Sequence, residues 1–110
     1  MALSPPEDRR LDPRLSAAGR GVVVAPGLEL ACIIADVSAG GMKLRLERRL
    51  ALPARVIVVD VAAGLAHDAD VVWCKGQEAG LKRIGQSSLR GLAPSRLIPA
   101  RDAWIRAGGR

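Results

Sequence analysis

Residues 42–47 read MKLRLE, a run in which apolar and charged side chains alternate without a break. Met42, Leu44 and Leu46 share one face of an extended chain, because successive side chains of a strand point to opposite faces. The charged residues between them share the other face. The run therefore predicts a half-buried β-strand, with one side against a core and the other in water.

Five further runs of strand-like sequence flank this one, and turn signals such as Pro26-Gly27 separate them. No helical period lies between the runs. The six predicted strands are Gly21–Ala25, Leu28–Ala35, Met42–Glu47, Arg55–Val61, Ala66–Cys74 and Ala79–Ile84. Short strands in this number predict an all-β fold, a six-stranded antiparallel barrel or a sandwich.

The composition indicates one domain with an aliphatic core. The chain has 110 residues, of which 49% are hydrophobic, and this is enough to bury a single core. Aromatic residues make up only 2%, so we expect Trp73 to be the one large ring inside. Because no apolar run approaches the length of a signal peptide or a membrane span, we expect a soluble, cytoplasmic protein without membrane insertion.

The chain divides into three parts around the predicted barrel. Residues 1–8 lack periodicity and are predicted to be a mobile tail, residues 9–86 hold the polar linker and the barrel, and residues 87–110 form a C-terminal extension. The best helix candidate in the extension is Ala100–Ala107, ARDAWIRA, with Trp104 and Ile105 available to dock on the barrel.

Several function classes are not expected from the residues present. Cys32 and Cys74 lie within strand-like runs and are predicted to be buried free thiols, and with His67 they lack the spacing of a zinc site. Ser38 has no Gly-x-Ser-x-Gly elbow around it, so the sequence predicts neither an enzyme nor a metal or cofactor.

The net charge of +6 favours an anionic partner. Residues 82–110 hold seven basic side chains and a single acid, Asp102, a pattern typical of a solvated face. Barrels that bind nucleic acid use surface aromatic rings on which bases stack, and this chain has only two tryptophans. We therefore do not expect a nucleic-acid partner.

Two polar stretches stand out from the strands. The first, EDRRLDPRLS at residues 7–16, places Arg10 and Arg14 four positions apart around Pro13, which disfavours a helix. Guanidinium groups on an extended segment match phosphate oxygens and the O6/N7 edge of guanine. Alone, such a cluster is more typical of a solvated tail.

The second stretch, ADVSAGGMKL at residues 35–44, has complementary chemistry. Asp36 accepts hydrogen bonds, as from the Watson–Crick edge of guanine, and Ser38 both donates and accepts them. Gly40 and Gly41 permit positive φ and close approach of a ligand to the backbone. The same residues are also good turn formers between two strands, and that alternative stays open.

Taken together, the two stretches resemble a known signature. Arg10-x-x-x-Arg14, then 21 residues, then Asp36-x-Ser38-x-x-Gly41 is similar to the two-part motif of the PilZ domain family, bacterial receptor modules for cyclic di-GMP. The run VVWCKGQEAGLKRIG at residues 71–85 is similar to the late strand pair of that family. The resemblance covers roughly residues 9–86 and implies a six-stranded barrel with a C-terminal helix.

The resemblance also implies a function. It implies a cyclic di-GMP receptor that changes conformation or partner on binding, with an unidentified effector protein downstream and no catalysis. The implied ligand-binding residues are Arg9, Arg10, Arg14, Asp36, Ser38, Gly40 and Gly41. The alternative is a PilZ-like adaptor that binds a protein and not the nucleotide.

The chain departs from the usual sequence of this family at two places: LSAAGR at residues 15–20 is richer in Gly and Ala than the usual first strand, and Ile84 stands where Phe is common.

Overall fold

The strands pair in a ring. The computed structural model describes residues 19–109, which contain six strands, a 3-10 turn and one helix. The elements are β1 (Gly19–Ala25), β2 (Leu28–Val37), β3 (Gly41–Leu46), β4 (Arg55–Asp60), β5 (Leu65–Lys75), β6 (Glu78–Ser88), the 3-10 turn Ser95–Leu97 and α1 (Ile98–Arg106). All neighbours are antiparallel in the order β1-β2-β3-β6-β5-β4, and β4 pairs with β1. The predicted six-stranded barrel is confirmed, and the sandwich alternative is wrong.

Alternation along the strands fills the barrel. Met42, Leu44 and Leu46 of β3 all point inward and are buried, as the MKLRLE pattern predicts. Val23 of β1 and Val58 of β4 meet them in the same aliphatic core. Burial of each such side chain stabilises the fold by about 1.5–3 kcal/mol.

The first strand forms in spite of the glycines at its start, and the second of them, Gly21, is required by packing. β1 begins at Gly19, and Gly21 lies where a Cβ atom would come within 3.0 Å of the Cys32 Sγ atom and of the Val59 carbonyl oxygen. Contacts of that length force a neighbour to move, so β1 can approach β2 and β4 closely only because residue 21 has no side chain. The strand is seven residues long despite its glycines.

A second core lies outside the barrel, where α1 covers β1 and β4. Val22 and Val59 point outward from these strands and pack against Ala100, Ala103 and Trp104 of the helix. The strand β4 therefore has an apolar side chain on both faces: Val56 and Val58 lie in the barrel, and Ile57 and Val59 lie towards the helix. No helix within residues 19–109 has the length and apolarity to cross a membrane.

The prediction that Trp73 is the buried ring is wrong. Trp104 is 4% exposed, and its Nε1–H donates to the Val61 carbonyl oxygen at 2.9 Å, whereas Trp73 is 43% exposed. The reason is a β-bulge: Val71 pairs with Leu81 but Trp73 with Gly80, so Val72 is an extra residue. An extra residue reverses the inside–outside alternation, and a pattern of period two cannot anticipate it.

Three smaller predictions also need correction. Cys74, which follows the same bulge, is exposed, while Cys32 is buried as expected. Burial raises the pKa of the Cys32 thiol to about 12. The helix begins at Ile98 and not at Ala100, and Ile105 is exposed, because the docking face of α1 consists of Ala100, Ala103 and Trp104.

The two tryptophans give a direct test of this arrangement. Trp104→Ala should lower the free energy of unfolding by about 3–5 kcal/mol, because it leaves a cavity and an unpaired Val61 carbonyl. The matched control Trp73→Ala should cost about 1 kcal/mol or less, since that ring is on the surface. Urea denaturation followed by far-UV circular dichroism measures both. Equal losses in the two variants would show that Trp104 is not the anchor of the helix.

Candidate functional site

Four of the residues that the motif singles out lie in the loop between β2 and β3 or in the strand ends beside it. Asp36 lies near the end of β2, Ser38 and Gly40 lie in the loop, and Gly41 begins β3. The Ser38 N–H donates to the Gly41 carbonyl oxygen at 2.9 Å, while the Ser38 hydroxyl donates to the same oxygen at 3.5 Å. The loop is therefore a tight turn held mainly by backbone atoms, and the hydroxyl bond to the turn is long.

A second β-bulge turns Asp36 outward. Ile34 pairs with Leu44 and Asp36 pairs with Lys43, so Ala35 is an extra residue on β2. In a regular strand, Asp36 would share the inward face of Ile34, since residues two apart point the same way. The bulge breaks this rule, and the carboxylate is exposed on the outer surface of the barrel.

The two glycines of the loop have different roles. Neither has positive φ, so the conformational freedom expected of them is not used. A Cβ atom at Gly41 would lie 3.1 Å from the Leu81 carbonyl oxygen, so this position needs glycine for β3 to pack against β6. Nothing lies within 4 Å of the equivalent position at Gly40, which is exposed and leaves the backbone open to approach from outside.

Arg83 of β6 holds this loop from the barrel side, and sequence reasoning missed it. Its Nη2 atom donates to the carbonyl oxygens of Ser38 at 2.7 Å and Ala39 at 2.9 Å. Its backbone N–H donates to the Gly40 carbonyl oxygen at 3.0 Å. One feature of the sequence could have indicated this residue: a charged side chain at position 83 falls on the same face of the strand as the inward-facing Ala79 and Leu81.

Outside the barrel, Asp36 belongs to a row of residues that crosses four strands. Asp36 pairs with Lys43, Lys43 with Gly80, and Gly80 with Trp73. Gly80 leaves room for the indole: a Cβ atom there would be 2.1 Å from Trp73 Nε1. Three strand spacings separate the ends of the row, so a carboxylate, an ammonium group and an aromatic ring share one surface about 14 Å wide.

The arginines of the first motif, Arg9, Arg10 and Arg14, lie outside the described residues. The described chain starts at Gly19, which pairs with Ile34 of β2, two residues before Asp36. The segment that carries the arginines therefore joins the barrel next to the strand that carries the carboxylate.

His67 of β5 is a buried titratable group of the barrel. It is 6% exposed, it pairs with Val58 and faces the interior, and its Nδ1 atom has no hydrogen-bond partner among the described residues. Burial lowers the pKa of His67, and the positive charge of Arg83 lowers it further. Asp60 and Asp68 act in the opposite direction but more weakly. His67 is therefore stabilised in its neutral form.

The fold and the loop define a class of protein: a small closed β-barrel with a polar turn at its rim and a helix on one side. The family follows from comparison, because the family model described as PilZ domain matches residues 8–92. The chain belongs to the PilZ domain family. No curated protein and no solved structure matches it.

The lowered pKa of His67 predicts a pH-dependent stability. Below the ordinary histidine pKa of 6.5 the unfolded chain binds a proton that the folded protein resists, so the free energy of unfolding should fall as the pH is lowered through this window. The free energy of unfolding can change by up to about 1.4 kcal/mol per pH unit through this group. Urea denaturation at pH 7.5, 6.5 and 5.5 measures it, and His67→Gln should flatten the profile. A variant that keeps the original slope would show that other groups cause it.

Proposed function

We propose that this PilZ domain is a receptor for cyclic di-GMP that binds the nucleotide on the outer surface around Asp36 and the Ser38–Gly41 turn. One observation carries the proposal: the bulge at Ala35 turns the Asp36 carboxylate outward, beside the strand at which the arginine-bearing segment enters the barrel. Binding is proposed to change the conformation of the domain or its affinity for an effector protein. No catalytic step is involved.

The chain length supports the joint use of both motifs. Arg14 precedes Gly19 by five residues, so their Cα atoms are at most about 17 Å apart, even in a fully extended chain. The long arginine side chain adds to this reach. The Arg14 Cα atom therefore stays within about 17 Å of Gly19, the residue that pairs with Ile34 close to Asp36, whatever conformation the connecting residues adopt.

The chemistry of the surface suits a cyclic dinucleotide of guanine. Arginine forks bind phosphate oxygens or the O6/N7 edge of guanine, and a carboxylate accepts from the N–H groups of the opposite edge. Trp73, at the far end of the same row, offers an exposed ring for stacking, which contributes about 1–3 kcal/mol per base in other proteins. Lys43 between them adds positive charge, although its Nζ atom lies 3.8 Å from a carboxylate oxygen of Glu78.

Calorimetric titration with cyclic di-GMP tests the proposal. The unmodified protein should bind it and not an equal concentration of GTP, and Arg10→Ala and Arg14→Ala should each weaken binding by about 5- to 150-fold, because a bidentate arginine contact contributes about 1–3 kcal/mol. Asp36→Ala and Ser38→Ala should also weaken binding, with little change in thermal midpoint.

Arg48→Ala is the matched control, since this exposed arginine follows the opposite end of β3 from Gly41. It should leave the affinity for cyclic di-GMP unchanged. Tight binding that survives both Arg10→Ala and Arg14→Ala would contradict the site. A folded, unmodified protein that gives no heat with the nucleotide would favour the adaptor alternative.

Arg9 leads to a separate prediction about stoichiometry. A stacked pair of cyclic di-GMP molecules brings four phosphates, so a third arginine beside Arg10 and Arg14 has an additional anion to neutralise. We expect two nucleotides per chain, with Arg9→Ala lowering the ratio towards one and weakening the salt dependence of binding. Titration is done at nucleotide concentrations that permit pairing. One nucleotide per unmodified chain under these conditions would show that Arg9 has no such role.

A further inference from the structure

We infer that Arg83 is a positioning residue for the nucleotide: it holds the Ser38–Gly41 turn in the shape that presents its backbone N–H groups to the ligand. This inference rests on the proposed function and deepens it. Arg83 lies on β6, the strand that pairs with β3 directly after the turn, and it is not part of either motif.

The hydrogen bonds of Arg83 reach three consecutive carbonyl groups. Its guanidinium binds the carbonyl oxygens of Ser38 and Ala39, and its own N–H binds that of Gly40. In a trans peptide the C=O and the following N–H point in opposite directions. The N–H groups of Ala39 and Gly40 therefore point away from Arg83, on a stretch of chain that is exposed. Successive N–H groups turned outward form a concave site for an anionic group.

The charge of Arg83 also strengthens these donors. A carbonyl that accepts a hydrogen bond from a cation is polarised, and the N–H of the same peptide becomes a better donor. The guanidinium binds the carbonyls of the peptides that join Ser38 to Ala39 and Ala39 to Gly40. The N–H groups of these two peptides therefore become stronger hydrogen-bond donors. An apolar side chain at position 83 would supply neither these hydrogen bonds nor the polarisation.

Burial argues against a purely structural role for this side chain. Arg83 is partly buried, and its Nε atom is buried without a hydrogen-bond partner among the described residues. It lies on the same face of β6 as the buried Ala79 and Leu81, and it pairs with the fully buried Ala69. An apolar residue at this position would continue the core. Placing a guanidinium there costs desolvation, and its bonds to the turn offset that cost. The arginine therefore serves the turn more than the core.

Two substitutions of Arg83 test the inference. Arg83→Met keeps an unbranched apolar chain but removes the donors, so cyclic di-GMP binding should weaken at least tenfold, while the urea midpoint stays near that of the unmodified protein. Arg83→Lys can still donate to one carbonyl and should recover part of the affinity. Arg48→Met is the matched control, because it makes the same substitution at an exposed arginine that follows the opposite end of β3 from Gly41.

The salt dependence of binding separates positioning from direct contact. Loss of a phosphate contact reduces the slope of log Kd against log salt, as expected for Arg10→Ala or Arg14→Ala. Arg83→Met should weaken binding and leave this slope unchanged, because Arg83 touches the turn and not the nucleotide. A reduced slope in Arg83→Met would show direct contact with a phosphate and would overturn the positioning role.

Backbone dynamics test the inference without the nucleotide. In the free protein, ¹⁵N order parameters of Ala39 and Gly40 should fall in Arg83→Met and remain unchanged in Arg48→Met. Unchanged order parameters in Arg83→Met, or unchanged affinity, would overturn the inference. If the unmodified protein does not bind cyclic di-GMP, the proposed function fails, and the order parameters still decide whether Arg83 holds the turn. Arg83→Lys supplies the same measurement if Arg83→Met does not fold.

Discussion

The pairing between β1 and β4 closes the sheet, and the other features of the domain depend on that closure. Residues 21–24 of β1 align with residues 57–60 of β4, so each of the six described strands has two neighbours. Backbone N–H and C=O groups that would otherwise form an open edge are paired. Closure also limits the interior to side chains of modest size, which agrees with a core of valine, leucine and isoleucine and with glycine at position 21.

Because α1 packs on β1 and β4, it covers one side of the barrel and leaves the other side open within residues 19–109. Trp104 anchors the covered side through its bond to the Val61 carbonyl oxygen and through the Arg90 guanidinium, 5.6 Å from its ring centre. Arg106 at the end of the helix also binds the Glu29 carboxylate of β2. The outer faces of β2, β3, β6 and β5 carry the row from Asp36 to Trp73. The arrangement thus separates the surface that supports the fold from the surface proposed to bind.

Three β-bulges decide which side chains reach that open surface. The extra residues are Ala35 on β2, Val72 on β5 and Ile84 on β6. The first turns Asp36 outward and the second turns Trp73 outward. The third directly follows Arg83, the residue whose guanidinium donates to the Ser38 carbonyl oxygen of the turn. Ile84, which stands where the family commonly has Phe, is half exposed in this bulge and contributes little to the core.

The sequence by itself determined the strands, their number and the candidate turn. Alternation such as that of Met42, Leu44 and Leu46 depends only on the geometry of an extended chain, and turn residues mark where it stops. Tertiary structure decided the position of Trp73, the exposure of Cys74 and the hydrogen bonds of Arg83 to the turn. The physical reason is that bulges and cross-strand hydrogen bonds depend on the partner strand: one extra residue reverses every later side chain, and the carbonyls that Arg83 binds are more than forty positions away in the chain.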